Sequence, residues 1–178
     1  YEPFAGGAAL FFRVAPRRAV LADFNHDLIG LYTAIANDVR AVIRRLQMHR
    51  DAHDESHYYE VRTRWNDREV SWSTPERAAA FIYLNKTCFN GLYRVNKSGH
   101  FNVPMGRYAK PAIADVATLT AASQRLAQAD IRCVPFDALV AEANPGDFVY
   151  LDPPYEPVSR TANFTAYASD GFTQADQI

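Results

Sequence analysis

The sequence lacks several features that would direct it to other protein classes. No hydrophobic run is long enough to cross a membrane, and no charged leader precedes an apolar stretch, so we expect a cytoplasmic protein. The two cysteines, Cys88 and Cys133, lie far apart without metal-ligand spacing, so we expect reduced thiols and no metal. Without repeats or low-complexity segments, the 178 residues suit one domain with a modest insertion.

Acidic residues are absent from one long stretch of the chain. None occurs between Arg77 and Ala114, although the net charge of the whole sequence is only −1. Six basic residues in this stretch make it locally +6, while the rest of the chain is about −7: Arg77, Lys86, Arg94, Lys97, Arg107 and Lys110. Contacts to nucleic-acid phosphates require such a basic segment, and a solvated basic surface is the alternative.

Short apolar runs alternate with periodic helical segments along the chain. We predict strands at the chain start, at 19–23, at 131–134 and at 148–151, with helices between them. This alternation predicts an α/β fold with a mostly parallel sheet, and the basic region is an insertion in it. The expected division is a main domain of residues 1–50 and 115–178 with an inserted region at 51–114.

Some local expectations concern helix ends and histidines. Asn37 is predicted to cap the second of two consecutive helices, and Thr74 to cap the helix that begins at the following proline. His53 and His57 have metal-like spacing, but the sequence offers no nearby partner for them. We therefore expect both histidines on the solvated surface.

A glycine turn and a carboxylate near the start resemble parts of a cofactor site. The turn Ala5-Gly6-Gly7 leads from a strand end into an apolar helix start, so a ligand could approach its backbone. A tight structural turn is the alternative. Asp23 ends the next apolar run, where βαβ cofactor sites place a carboxylate that binds ribose hydroxyls. A cap of the following helix, by Asp23 or Asn25, fits equally well.

The motif Asp152-Pro153-Pro154-Tyr155 follows the apolar run 148–151 and predicts a loop at a strand end. Two prolines remove two backbone N–H groups, which leaves an edge of carbonyl acceptors between a carboxylate and an aromatic ring. Such an edge suits an amine that donates two hydrogens while the tyrosine stacks on the ring that carries it. A plain Pro-Pro turn is the alternative.

The candidate residues follow predicted strands. Ligands in open α/β sheets bind beyond the carboxyl ends of the strands. Gly6, Asp23, Phe136 and Asp152 all occupy such positions, and we expect them to converge on one cleft.

The acid-free stretch contains a hairpin signal. Its predicted arms are 92–95 and 100–103, joined by the turn Asn96-Lys97-Ser98-Gly99. A two-stranded ribbon fits the major groove of DNA, where an arginine binds guanine and aliphatic groups contact thymine methyls. A solvated hairpin is the alternative.

These motifs resemble the DNA adenine-N6 methyltransferase family called Dam, the D12 class with its DPPY motif. The similar segments span the chain, and the passage 85–108 is the most specific: 2–7, 84–108, 152–155 and 162–167. The resemblance implies a Rossmann-like S-adenosylmethionine-dependent methyltransferase fold, with a sheet incomplete at both ends. It also implies methylation of adenine N6 in double-stranded DNA, at GATC and by base flipping, by a monomeric protein of the bacterial cytosol or nucleoid, or of a virus.

The resemblance also implies site residues. Those matching the S-adenosylmethionine site are Glu2, Pro3, Phe4, Gly6, Gly7, Asp23, Phe136 and Asp152. Those matching the catalytic loop are Asp152, Pro153, Pro154 and Tyr155, where Asp152 and the Pro153 carbonyl would accept the two N6 hydrogens. Those matching DNA contacts are Lys86, Phe89, Asn90, Leu92, Arg94, Asn96, Lys97, Pro104 and Arg107. Among them Arg94 matches the residue that reads a guanine, and Leu92 and Pro104 match those that meet a thymine methyl.

The sequence departs from the family in two respects. Pro135 stands where an aspartate often precedes the aromatic residue, which removes a side-chain hydrogen bond to the cofactor amine. A lysine-containing segment before the first strand and further strands after the last are missing, so we expect a fragment that methylates poorly or not at all. An inactive DNA-binding relative, and an enzyme acting on cytosine N4 or protein glutamine, are the alternatives.

Overall fold

The computed structural model describes residues 1–153 as a mixed α/β structure. Its helices and strands, in chain order, are α1 (Ala9–Val14), β1 (Val20–Ala22), α2 (His26–Asp51), α3 (Glu55–Asn66), α4 (Thr74–Thr87), α5 (Val116–Leu126), β2 (Asp130–Arg132) and α6 (Phe136–Val140). None of the described helices is long and apolar enough to span a membrane. Pro154, Tyr155 and the segment 162–167 lie outside the described residues.

The described strands pair in parallel. In the register of β1 and β2, Leu21 lies opposite Ile131, and Glu2 forms a parallel bridge to Leu21 from the other side. The Tyr1 amino group donates to Phe148 O and the Tyr150 N–H donates to Tyr1 O, both at 2.9 Å, which is the pattern of a further parallel pairing. The chain start therefore lies between the run 148–150 and β1. The strand predicted at 148–151 is present only as these two hydrogen bonds and not as a β-strand.

Helices α2, α3, α4 and α5 form a packed layer. Helix α2 packs against α4 and α5, and α3 packs against α4. Arg77 of α4 joins them: its Nη2 lies 2.7 Å from Asp27 Oδ1, and its guanidinium lies 4.2 Å from the centre of the Trp65 ring. Arg77 therefore belongs to the helical packing, although it lies in the acid-free segment.

Two predicted helix caps lie one residue from their expected positions. Helix α2 is kinked at Asp38, which has non-helical φ and ψ and accepts from the Ala41 N–H at 3.0 Å. The break expected at Asn37 is therefore present, with Asp38 as the capping side chain. Thr74 was the wrong choice of cap for α4. Ser73 fills that position because its N–H and Oγ both bond to Glu76 Oε2, at 3.2 and 2.7 Å.

The prediction of solvated, isolated histidines is wrong. His49 Nδ1 lies 2.9 Å from His57 Nε2, and His53 Nδ1 lies 2.9 Å from the Tyr83 hydroxyl. All three rings contact Tyr83, with centroids 4.8 to 5.7 Å apart. Burial, with the positive charge of neighbouring groups, lowers the pKa of His49 to about 4. These contacts form because α2 and α3 both pack against α4, which carries Tyr83. Within residues 1–153, no three His, Cys, Asp or Glu side chains are grouped to hold a metal ion.

Candidate functional site

The glycine turn presents exposed backbone at the edge of the sheet. Gly6 has a φ of 46°, in the region that favours glycine, and its N–H donates to Asp23 Oδ2 at 3.0 Å. Its carbonyl accepts from the Tyr32 hydroxyl at 2.5 Å. Gly6 and Gly7 are both exposed, and a Cβ on Gly7 would meet no atom within 4 Å. Hydrogen bonds with Asp23 and Tyr32 therefore fix the turn, while the backbone at Gly6 and Gly7 stays accessible to a ligand.

Of the two candidate caps for α2, the structure uses Asn25 and not Asp23. Asn25 caps α2, because its Oδ1 accepts from the N–H groups of Asp27 and Leu28 at 3.0 and 3.2 Å. Asp23 instead holds the glycine turn and accepts from the Asn25 N–H at 2.9 Å through Oδ1. Since each carboxylate oxygen has two lone pairs, Asp23 retains acceptor capacity for a ligand hydroxyl.

Two aromatic rings lie beside this turn. Phe4 and Phe136 stack with ring centroids 5.1 Å apart and an interplanar angle of 26°. The structure thus brings Phe136 to the turn, as expected. Glu2 and Pro3, in contrast, are buried, and burial raises the pKa of the Glu2 carboxyl. The structure therefore does not expose either side chain at the turn.

The parallel register carries Asp152 to the same edge. Tyr150 lies alongside the segment that contains Glu2, and Glu2 lies alongside β1. Asp152 lies two residues after Tyr150, Phe4 two residues after Glu2, and Asp23 two residues after Leu21. These three residues therefore lie side by side where the neighbouring parallel segments end. Asp152 is exposed and Pro153 is half-buried.

Sequence reasoning missed other residues at this edge. Cys133 follows β2, and its Sγ lies 3.2 Å from His26 Nδ1 and 3.8 Å from the Phe24 carbonyl oxygen. Burial raises the pKa of the Cys133 thiol. The signal that could have found them is the strand register, which places Cys133 level with Asp23.

The predicted hairpin is present as two isolated antiparallel bridges. Cys88 pairs with Met105 near the base, and Val95 pairs with Phe101 near the turn. At the base, the Gly106 N–H donates to the Thr87 carbonyl at 2.7 Å. Further backbone hydrogen bonds join the arms, among them those from the Phe89 N–H to the Pro104 carbonyl and from the Asn96 N–H to the His100 carbonyl, both at 2.9 Å.

A left-handed turn projects from the hairpin base. Asn90 and Gly91 have φ values of 54° and 62°, and Phe89 is 50% exposed. Asn85 Nδ2 donates to the Gly91 carbonyl at 3.3 Å and thereby fixes the turn. Burial raises the pKa of the Cys88 thiol, at the start of this turn, to about 11.

The predicted DNA-contacting side chains all belong to exposed residues: Lys86, Phe89, Asn90, Leu92, Arg94, Asn96, Lys97, Pro104 and Arg107. Arg94 Nε donates to Asn102 Oδ1 at 2.9 Å. Asn96 has a structural part as well, because its Oδ1 accepts from the N–H groups of Ser98 and His100. Lys86 lies in the last turn of α4, and the other eight residues lie on the turn and the hairpin that follow it.

Comparison with known proteins gives a consistent result over the whole length. A sequence model described as D12 class N6 adenine-specific DNA methyltransferase matches residues 1–178. The Type II methyltransferase M1.LlaDCHI of Lactococcus lactis subsp. cremoris is 41% identical over 181 residues, which cover 100% of this chain and 64% of that protein.

Two further relatives come from an archaeon and a bacterium. The Type II methyltransferase M.MjaIII of Methanocaldococcus jannaschii is 40% identical, over 99% of this chain and 65% of that protein. The DNA adenine methylase of Escherichia coli K12 is 37% identical, over 99% of this chain and 63% of that protein. The chain thus spans less than two thirds of the length of these relatives.

Proposed function

Because this chain belongs to the D12 class N6 adenine-specific DNA methyltransferase family, we propose that the protein methylates adenine N6 in double-stranded DNA, with GATC as its target. One observation carries the proposal. The Gly6 turn, Asp23 and Asp152 meet at one edge of a parallel sheet, in a chain that also presents an exposed, acid-free hairpin. A cofactor cleft and a nucleic-acid contact element are the two parts that such an enzyme requires.

The cleft residues fit S-adenosylmethionine, which supplies a reactive methyl group on a sulfonium when bound. The exposed Gly6-Gly7 backbone suits the methionine part, and Asp23 suits the ribose hydroxyls. The Phe4 and Phe136 rings suit the flat adenine. This assignment goes with a Rossmann-like arrangement of residues 1–50 and 115–178.

Asp152 and the Pro153 carbonyl are proposed to accept the two hydrogens of the adenine amine. The lone pair of an aryl amine is delocalised into its ring, so the amine is a weak nucleophile. Two acceptors held at a fixed angle favour a pyramidal nitrogen and orient its lone pair. Asp152 thus acts by position and charge, Pro154 stiffens the loop, and Tyr155 stacks on the base.

The inserted region, residues 51–114, is proposed to bind the duplex. Arg94 reads a guanine, and Leu92 and Pro104 contact a thymine methyl, since all three are exposed on the hairpin. Phe89 and Asn90, projected by the left-handed turn, fill the space left by the flipped adenine.

Transfer of tritium from labelled S-adenosylmethionine tests this function. With residues 1–178 extended to the length of its relatives, we expect incorporation into a GATC duplex, and none into a scrambled duplex or one already methylated at N6, all at the same salt concentration. Asp152→Ala should lower the rate about 100-fold or more while duplex binding persists. Arg94→Ala is the matched variant, because it should reduce the preference for GATC instead.

Other outcomes identify the alternatives. Tritium recovered on cytosine N4 or on a protein glutamine, and not on adenine N6, would show that one of these groups is the methyl acceptor. Preferential GATC binding without transfer, unchanged by Asp152→Ala, would indicate an inactive DNA-binding relative.

A further inference from the structure

One polar stripe of α3 faces the second arm of the hairpin. Tyr58, Arg62 and Asn66 recur every four residues and therefore lie on one side of the helix. The Tyr58 hydroxyl and Arg62 Nη1 both donate to the Val103 carbonyl, at 2.9 and 3.0 Å. Asn66 bonds to Phe101. Helix α3 is thus attached to the arm at two alternate residues.

The hairpin geometry explains why Phe101 needs this partner. The Asn96 N–H donates to the His100 carbonyl, and the Asn102 N–H donates to the Arg94 carbonyl. These bonds flank the Val95–Phe101 pair, so the backbone N–H and C=O of Phe101 point away from the other arm. With Phe101 only 1% exposed, water does not satisfy these groups.

Asn66 takes the place of a third strand. Its Oδ1 accepts from the Phe101 N–H at 2.8 Å, and its Nδ2 donates to the Phe101 carbonyl at 2.9 Å. A side-chain amide has the donor and acceptor of a peptide group, so it pairs with both outward groups at once. This two-point bond fixes the orientation of the peptide planes on both sides of Phe101.

The next residue of the arm holds the arginine proposed to read guanine. Asn102 Oδ1 accepts from Arg94 Nε at 2.9 Å. The bond anchors the guanidinium at Nε, and bidentate recognition of guanine O6 and N7 depends on the direction in which the planar group points. A shift of the Phe101 peptide would therefore turn Asn102 and Arg94 with it.

We propose that Asn66 and Asn102 are positioning residues for base recognition, in which α3 sets the direction of Arg94 through Phe101 and Asn102. The inference rests on the proposed function, because it assumes that Arg94 reads a guanine. It assigns to α3 a part in sequence discrimination, beyond its packing against α4.

The test combines single substitutions in the protein with a single change of the guanine base in the DNA. Binding of the protein to a GATC duplex and to the same duplex with 7-deazaguanine is measured by fluorescence anisotropy at one salt concentration. We expect removal of N7 to weaken binding of the unsubstituted protein by about 5- to 100-fold. The measured quantity is the ratio of the two dissociation constants, with 7-deazaguanine over with guanine. In Asn66→Ala and in Asn102→Ala, this ratio should be smaller by about threefold or more.

Two further variants separate positioning from stability. Asn66→Gln keeps the amide donor and acceptor and should therefore retain part of the ratio that Asn66→Ala loses. Thr63→Ala, at an exposed residue of the same helix, should leave the ratio unchanged. A structural loss alone would weaken binding to both duplexes equally. If Asn66→Ala is unfolded at the assay temperature, Asn102→Ala decides, because this exposed position tolerates truncation.

The outcomes distinguish the inference from the proposed function. An unsubstituted protein that does not prefer GATC to a scrambled duplex would overturn the proposed target, and with it this inference. A protein that prefers GATC, while Asn66→Ala and Asn102→Ala keep the full 7-deazaguanine ratio, would overturn the inference alone.

Discussion

Gly106 occupies a position where any side chain would meet the backbone. A Cβ there would lie 2.8 Å from the Cys88 carbonyl oxygen and 2.4 Å from Cε2 of Tyr108. The tyrosine ring could turn away, but the Cys88 carbonyl belongs to the hairpin base. The close approach of the two arms therefore requires glycine at this position.

We expect Gly106→Ala to lower the free energy of unfolding by about 1–3 kcal/mol, because the added methyl forces the arms apart. Urea denaturation followed by circular dichroism measures the change. Gly30→Ala is the matched control, since its Cβ would meet no atom within 4 Å and the residue lies in α2. This control should be neutral or stabilising by up to about 1 kcal/mol. Equal stability of the two variants would contradict the expectation.

At the scale of elements, the histidine cluster joins three helices. His49 of α2, His57 of α3 and Tyr83 of α4 are in mutual contact, and His53 completes the group. Burial is the main cause of the lowered pKa of His49, and His57, Arg45 and Arg64 lower it further. The cluster therefore favours the neutral form of His49.

We expect the free energy of unfolding to decrease as the pH falls from about 6.5 to about 4. In this window the unfolded chain takes up a proton at His49 that the folded chain does not, since its pKa falls from 6.5 to about 4. Because the ring is partly exposed, we expect on the order of 1–2 kcal/mol. Urea denaturation at pH 7.5, 6 and 5 measures the slope with which the free energy of unfolding changes with pH.

His49→Asn is the variant for this measurement, because its amide can replace Nδ1 without titrating. It should flatten the slope. His100→Asn, in the hairpin turn, serves as the control and should retain the slope. An unchanged slope in His49→Asn would assign the pH dependence to other groups.

At the scale of the molecule, the basic residues of the acid-free segment are not all available for DNA binding. Arg77 is paired with Asp27, whereas Lys97 and Arg107 are exposed beyond the helical layer. The sum of +6 over residues 77–114 therefore overstates the charge available to phosphates, because Arg77 is already paired with Asp27.

We expect Lys97→Ala and Arg107→Ala each to reduce the salt slope of duplex binding by about 0.9, the value for one phosphate contact. Arg77→Ala should leave that slope unchanged and lower the free energy of unfolding by on the order of 1 kcal/mol. Binding titrations between 50 and 200 mM salt, on the logarithmic scale, measure the slopes. A slope reduced equally by Arg77→Ala would place that arginine at the duplex.

The sequence by itself determined the alternation of strands and helices, the glycine turn, the hairpin turn and the family. These features depend on local order along the chain: an apolar run predicts a strand, and paired glycines or an Asn–Gly turn mark where the backbone reverses. The caps predicted at Asn37 and Thr74 lie one residue from those observed, because neighbouring polar side chains compete for the same cap, as Ser73 and Thr74 do.

Only the tertiary structure decided which distant residues meet. His57 with His49, Arg77 with Asp27, and Asn66 with Phe101 are contacts between separate elements. Spacing along the chain does not encode them, because they depend on how helices pack and on which backbone groups burial leaves without water. The motifs thus follow from sequence order, and the support that orients them follows from packing.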